Sequence, residues 1–145
     1  MSESERRDAS GPAIGPRIGC GAFIRDERGR LLLVKRKRRP EAGCWGLPGG
    51  KVEAMETLES AAVRELREEL GIEIRPQRML SVSDQIDHER GEHWVSVVYL
   101  AAIVSGEPEI REPDALSQLG WFAIDALPEQ LTIATVEAVQ AADGS

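Results

Sequence analysis

Two short apolar runs, RIGCGAFIR and RLLLVKR, begin at Arg17 and are separated by the polar segment DERG. Because Gly29 suits a tight turn, this spacing predicts two antiparallel strands joined as a hairpin. A brief apolar stretch, WGLP, then leads into Gly49 and Gly50, which predicts a loop, a short strand and a second loop. The first third of the patterned chain is therefore expected to form strands.

The period changes to that of a helix between Thr57 and Leu70. Four apolar residues in this segment fall within about 100° of one another at 3.6 residues per turn: Ala62, Val63, Leu66 and Leu70. Thr57 is a suitable N-cap and Gly71 a suitable residue just beyond the C-terminus. The pattern predicts an amphipathic helix whose two ends are set by capping chemistry.

The second half of the chain alternates strand-like and helix-like patterns. IEIRPQRMLSVSDQI and HWVSVVYLAAIV flank the polar turn DHERGE, so a long hairpin is expected, and LGWFAI predicts one further strand. A helix is expected over about 131–142. This order predicts an α/β or α+β domain over residues 17–145, preceded by a flexible tail over residues 1–16 that has no apolar period.

Composition limits the classes of protein to consider. The chain has 145 residues, 41% hydrophobic and 30% charged, with a net charge of −7, which is typical of one globular domain and argues against general nucleic-acid or anionic-membrane binding. No apolar run approaches the length of a membrane span, and the polar start lacks the core of a secretory signal, so we expect a cytoplasmic protein. Cys20 and Cys44 form no C-x-x-C pair and are expected to be reduced thiols.

The predicted helix carries an unusual acidic face. Glu65, Glu68 and Glu69 lie opposite the apolar stripe, with Arg64 at their edge. Like charges at this spacing are destabilising, so a cation is expected to compensate them, and Mg²⁺ suits carboxylate ligands near substrate phosphates. A solvated charged face balanced by Arg64 and Arg67 is the alternative. The preceding loop, GLPGGKVEAMET, favours the metal because paired glycines allow close approach of the backbone to a phosphate or metal.

Read as a whole, residues 50–72 are GKVEAMETLESAAVRELREELGI, which resembles the Nudix box, G-x5-E-x7-R-E-U-x-E-E-x-G-U, where U is aliphatic. Every fixed position of the box is matched: Gly50, Glu56, Arg64, Glu65, Leu66, Glu68, Glu69, Gly71 and Ile72. The likeness extends to LLLVKRKR, GCWGLPGGKVE and LGWFAIDALP, and so covers about residues 17–142. Met55 departs from the family, in which glycine is commoner at this position.

The resemblance implies an α/β/α sandwich with a mixed sheet and hydrolysis of a nucleoside diphosphate linked to another group. It implies Mg²⁺, with Mn²⁺ as an alternative, held by Glu68, Glu69 and the Gly49 carbonyl. Glu65 would bind metal or deprotonate the attacking water, and Arg64 would orient Glu65 and pair with Glu56. A further acid from a distant loop would be Glu112, in IREPDAL, or else Asp114.

The most basic stretch of the chain is KRKRR, residues 35–39. Residues 17–39 contain nine basic and two acidic side chains, which suits the attraction of an anionic nucleotide in an otherwise acidic protein. Arg36, together with Gly50 and Lys51 of the glycine loop, is the candidate substrate-binding set. A nucleic-acid-binding surface is an alternative interpretation of the same stretch.

The leading functional hypothesis is conversion of a (d)NTP to (d)NMP and pyrophosphate by a monomer or homodimer that binds a small-molecule nucleotide but no nucleic acid or membrane. An ADP-ribose or nucleotide-sugar pyrophosphatase is the alternative within the same class. A module that senses nucleotides without turnover is the alternative from a different class, although the complete set of box acids argues against it.

Overall fold

A computed structural model describes residues 15–143 of the chain. Most of the predicted tail, residues 1–14, lies outside the described residues. Within these described residues, seven strands and two helices follow in order: β1 (Arg17–Phe23), β2 (Leu31–Arg36), β3 (Trp45–Gly46), β4 (Gly49–Lys51), α1 (Leu58–Leu70), β5 (Glu73–Asp87), β6 (Glu92–Ser105), β7 (Leu116–Phe122) and α2 (Ile133–Asp143). A short 3₁₀ turn, Ile124–Ala126, precedes α2.

The strands form two sheets. The larger has the order β4-β1-β6-β5, with β1 parallel to β6 and the other pairs antiparallel, and the smaller has the order β3-β2-β7 with antiparallel pairs. The long β5–β6 hairpin and the strand at LGWFAI are confirmed, although β7 begins at Leu116, three residues earlier than predicted. The mixed α/β class predicted from the sequence is therefore confirmed.

Of the predicted β1–β2 hairpin, the structure contains the turn but not a continuous pairing of the two strands. Gly29 adopts φ 79° and donates its N–H to the Asp26 carbonyl, as a tight turn requires. The two strands then meet antiparallel at a single bridge, between Arg25 and Leu31, and separate into different sheets. A continuous hairpin ladder was the wrong expectation, because β1 is central in one sheet and β2 is central in the other, so each needs both edges for other partners.

Two apolar layers cover opposite faces of the sheets. Alternate residues of β1 and β2 point to opposite sides, so that Ala22 and Leu32 pack with Leu66 of α1, whereas Phe23 and Leu33 pack on the other side. Ala138 of α2 belongs to this second layer. The result is a helix, sheet, helix arrangement, as the resemblance implies. Leu31–Val34 of β2 are all buried, as expected for a strand covered on both faces.

Both helices agree closely with the sequence pattern. The Thr57 side chain accepts a hydrogen bond from the Ser60 N–H at 3.1 Å, and Gly71 ends α1 in the left-handed conformation at φ 70°. α2 begins two residues later than predicted. None of the helices formed within residues 15–143 is long and apolar enough to cross a membrane.

Candidate active site

The glycine loop and the acidic helix meet at a very close contact. β4 pairs antiparallel with β1, which places Gly49 opposite Gly21 and Gly50 opposite Cys20. A Cβ atom at Gly50 would collide with the Glu65 carboxylate, and one at Gly49 would collide with the Cys20 carbonyl oxygen. Gly49 therefore allows the loop to lie against β1, and Gly50 allows it to lie against the Glu65 carboxylate of α1.

Arg64 compensates three of the box carboxylates. Its Nε and Nη2 donate to Glu56 at 2.6 and 2.9 Å, and its Nη1 donates to Glu65 at 3.0 Å and to Glu68 at 3.2 Å. Nη2 also donates to the Lys51 carbonyl at 2.9 Å, which ties the helix to the loop. The two hydrogen bonds from Arg64 to Glu56 lower the pKa of Glu56 to about 2. The structure thus places Arg64 between Glu56 and Glu65, as predicted.

Glu69 is a buried carboxylate with little compensation. Its residue exposure is 7%, and the Gly49 N–H donates to its Oε1 at 3.1 Å. Within residues 15–143 it forms no ion pair. Burial, followed by repulsion from Glu65, raises the pKa of Glu69 to about 8, against weak attraction from Arg36. Burial also raises the pKa of Glu65, partly offset by Arg64.

Glu112 reaches the acidic cluster from a distant part of the chain. The loop before β7 docks on the C-terminal end of α1, where the Arg111 N–H donates to the Glu69 main-chain carbonyl at 2.8 Å. This contact places Glu112 on the wall of the same cavity as Glu65, Glu68 and Glu69. Asp114 does not line that cavity. Of the two candidates for a further acid, the structure therefore brings Glu112 to the site.

The acidic cluster occupies one part of a cavity of about 400 Å³. Arg36, Gly49, Gly50 and Lys51 also line it, so the predicted substrate-binding set is gathered there, whereas Arg64 and Glu56 lie outside it as supports. Arg38 and Arg39 of the basic stretch line it as well. The wall also contains residues that no sequence motif singled out: Glu41, Gln85, Trp94, Ser96, Thr132 and Thr135. These six residues come from four separate segments and share no motif, so only tertiary structure brings them together.

The donor set at this cluster fits a divalent cation. Its groups are all oxygen donors, which hard cations such as Mg²⁺ prefer, and Glu69 is a buried carboxyl group that forms no ion pair within residues 15–143. Within the described part of the chain, no three acidic, histidine or cysteine side chains already converge in ligand geometry. The Glu68 side chain is 48% exposed and accepts a hydrogen bond from Arg64 at 3.2 Å.

Comparison with known proteins agrees with this geometry. The sequence profile of the NUDIX domain matches residues 15–141. The chain belongs to the NUDIX family. A crystal structure of a MutT NUDIX hydrolase from Burkholderia pseudomallei is 56% identical and superposes with a TM-score of 0.84, covering 88% of this chain and 98% of that one. The protein is therefore a Nudix hydrolase, an enzyme of a family that uses divalent metal ions.

Curated Nudix relatives differ in the substrate that their names record. An ADP-ribose pyrophosphatase from Methanocaldococcus jannaschii is 35% identical over 116 residues, 80% of this chain and 67% of that protein. The human 8-oxo-dGDP phosphatase NUDT18 is 37% identical over 112 residues, 76% of this chain but 33% of that protein. This Nudix chain thus spans about two thirds of the first relative and a third of the second.

Proposed function

We propose that this Nudix hydrolase cleaves the pyrophosphate linkage of a nucleoside triphosphate, converting a (d)NTP to (d)NMP and pyrophosphate. The observation that carries the proposal is the gathering of four acidic with four basic side chains in one cavity: Glu65, Glu68, Glu69 and Glu112 with Arg36, Arg38, Arg39 and Lys51. The carboxylates suit a cation, and the basic side chains suit phosphate oxygens. A triphosphate chain needs both kinds of partner.

The protein groups have separate roles in this proposal. Glu68, Glu69, the Gly49 carbonyl and Glu112 would hold the divalent cation, Mg²⁺ or alternatively Mn²⁺. When bound, such a cation acidifies water and offsets charge on phosphoryl oxygens.

Glu65 lines the cavity beside Gly50 and would take the proton of the attacking water, or contribute to the metal site. Arg64 fixes the position of the Glu65 carboxylate, and Glu56 fixes Arg64. Arg36 and Lys51 would hold the substrate phosphates.

ADP-ribose or another nucleotide sugar is the second candidate substrate. The relative named as an ADP-ribose pyrophosphatase supports it, and the relative named as an 8-oxo-dGDP phosphatase supports nucleoside phosphates instead. The chemistry at phosphorus is the same for both classes. The two substrate classes differ in the group attached beyond the diphosphate, and therefore in the protein residues that this group would contact.

A phosphate-release screen tests the proposal. The protein would be assayed with Mg²⁺ against the nucleoside triphosphates, their oxidised forms, ADP-ribose and dinucleotides, with and without inorganic pyrophosphatase. We expect phosphate from a triphosphate only when pyrophosphatase is present, because the product is pyrophosphate. Phosphate released without pyrophosphatase would instead show loss of the terminal phosphate and contradict the proposed bond.

Two variants make the screen specific. Glu69→Gln keeps the size of the side chain but removes a charge from the proposed metal site, so activity should fall at least about a hundredfold. Glu59→Gln makes the same change at an exposed position of α1 and should retain activity. Equal activity of the two variants would remove Glu69 from the mechanism. Nucleotide binding without turnover by the unmodified protein would favour the sensing module.

Several expectations remain predictions of this proposal. They are the cytoplasmic location, the monomeric or homodimeric state, the absence of nucleic-acid and membrane partners, and the division into a tail and one domain over residues 17–145. A nucleic-acid-binding function would be recognised by oligonucleotide affinity that falls steeply with salt.

A further inference from the structure

Glu41 is held in an unusual conformation on the cavity wall. Its φ is 62°, in the left-handed region that side chains other than glycine, asparagine and aspartate seldom adopt. Glycine would be expected at such a position if only the turn mattered. A backbone outlier of this kind beside a site suggests that the side chain itself is needed.

The Glu41 carboxylate is fixed from two directions by distant parts of the chain. The Gln85 side-chain amide of β5 donates to its Oε1 at 2.5 Å, and the Ile133 N–H at the start of α2 donates to its Oε2 at 2.8 Å. The Gln85 amide oxygen accepts from the Ser96 hydroxyl at 3.4 Å, which sets the direction of the amide. Within residues 15–143, no basic side chain forms an ion pair with Glu41.

This arrangement leaves an oriented pair of acceptors. A carboxylate has about four acceptor sites, so each Glu41 oxygen keeps one beyond the bond it already accepts. Glu41, Gln85 and Ser96 line the same cavity as Glu65 and Glu69. A nucleotide whose phosphates meet the acidic cluster would have its base as the remaining large group in that cavity.

Among the bases, one edge matches two adjacent acceptors. Guanine presents its N1–H and its 2-amino group side by side, and both are donors. Adenine and cytosine each place a ring-nitrogen acceptor beside their amino group, while uracil and thymine have a single N–H between two carbonyl acceptors. A carboxylate would pair with the guanine edge and face an acceptor on the others.

We infer that Glu41 is a specificity-determining residue that selects nucleotides carrying the guanine edge, with Gln85 and the Ile133 N–H holding its carboxylate in position. The inference rests on the proposed function, because it assumes that the phosphates lie at the acidic cluster. Guanine and 8-oxoguanine present the same two donors, so selection by Glu41 does not distinguish them.

The kinetic test compares dGTP, 8-oxo-dGTP, dITP, which lacks the 2-amino group, and dATP. In the unmodified protein, kcat/KM should be at least about tenfold higher for dGTP than for dITP or dATP, as for loss of a hydrogen bond to a charged group. Glu41→Gln should lower kcat/KM for dGTP and 8-oxo-dGTP at least about tenfold and change that for dATP less than about threefold. The gap between dGTP and dITP should shrink.

Glu89→Gln is the matched control. It makes the same change at an exposed position in the β5–β6 turn, outside the cavity, and should leave every ratio unaltered. A similar fall for all four substrates in Glu41→Gln would assign Glu41 a structural role and overturn the inference. Equal use of dATP and dGTP by the unmodified protein would also overturn it.

Binding of nucleoside monophosphates separates this inference from the proposed function. Calorimetry with dGMP, dIMP and dAMP needs no hydrolysis, and tighter binding of dGMP that Glu41→Gln abolishes would support base selection even if no triphosphate is cleaved. Lack of any preference for dGMP would reject the inference even if triphosphates are hydrolysed. Thermal unfolding of each variant confirms that the comparison is made on folded protein.

Discussion

Glu56 and Arg64 form the best-defined charged contact of the box. Two nitrogens of the guanidinium meet two oxygens of one carboxylate, and the same guanidinium reaches Glu65. Planar two-point pairing fixes orientation as well as charge, which a single lysine ammonium could not do. Glu56 therefore holds Arg64 from outside the cavity, and we propose that it positions Glu65 through this contact.

This pair predicts a pH dependence of stability. The pKa of Glu56 is lowered from 4.5 to about 2, so its ionised form stabilises the folded state fully above about pH 4.5, and this contribution is lost as the pH falls through about 2. Glu56→Gln should be less stable than the unmodified protein at pH 7, and the difference should diminish between pH 4.5 and 2. Urea unfolding across this range measures it.

Glu59→Gln provides the comparison for that measurement. It removes an exposed carboxylate from the first turn of the same helix without touching Arg64, so its difference from the unmodified protein should change less with pH than that of Glu56→Gln. A constant difference for Glu56→Gln would show that the Arg64 contact does not contribute to stability in solution.

Met55 shows how a departure from the family pattern is accommodated. It adopts φ 69° and its side chain is fully exposed, so the loop keeps the shape that glycine would allow more readily. The Glu56 N–H still donates to the Glu53 carbonyl at 3.1 Å, and the Glu53 N–H to the Glu56 carboxylate at 3.0 Å. The turn before α1 is thus closed by local hydrogen bonds despite the side chain.

At the scale of elements, the contact of β4 with α1 predicts that substitution of one glycine lowers activity, whereas substitution of a glycine elsewhere lowers only stability. Gly50→Ala would push a methyl group into the Glu65 carboxylate, and kcat should fall about a hundredfold, as when a catalytic group is displaced by about 1 Å. Gly29→Ala, at φ 79° in open space, should keep activity but lose about 1 kcal/mol of stability.

Steady-state kinetics and urea unfolding of the two glycine variants measure the contrast. The Gly50 backbone is not in the left-handed region, so any stability that Gly50→Ala loses comes from the clash with the Glu65 carboxylate and not from backbone strain. Retention of full activity by Gly50→Ala would mean that Glu65 can move away without cost, and that its position beside the loop is not needed for the reaction.

Elements whose ends are set by nearby residues could be predicted from the sequence, whereas the pairing of strands that are distant in the sequence could not. The α1 helix was predicted with both caps because Thr57, Gly71 and the apolar period act within a few residues. The separation of β1 and β2 into two sheets depends on β4, β6, β3 and β7, which no local pattern reveals.

The candidate site divides in the same way. The acids of α1 were predicted because the box places them on one helix. Glu41 and Gln85, however, are 44 residues apart and meet only in the folded chain. The acidic residues do lie on one face of α1, as expected, but their burial differs along that face. Glu69 is buried against Gly49, whereas Glu68 is half exposed.

At the scale of the whole molecule, the two cysteines report on opening of the fold. Cys20 lies in the apolar layer beneath α1 with 6% exposure, and its thiol donates to the Gly50 carbonyl at 3.5 Å. Burial raises the pKa of Cys20 from 9.0 to about 11, which alone reduces its thiolate fraction at pH 8 about a hundredfold. Cys44 is partly exposed.

Thiol labelling with a disulfide reagent at pH 8 should therefore show two phases. One thiol per chain reacts quickly, and Cys44→Ser removes that phase. The second reacts at a rate set by opening of the sheet beneath α1, so it should accelerate with urea in step with global unfolding. A nucleotide that binds the cavity should slow the second phase, because binding stabilises the folded chain against the opening that exposes Cys20. Two equally fast thiols in the absence of denaturant would contradict the burial of β1 between the two apolar layers.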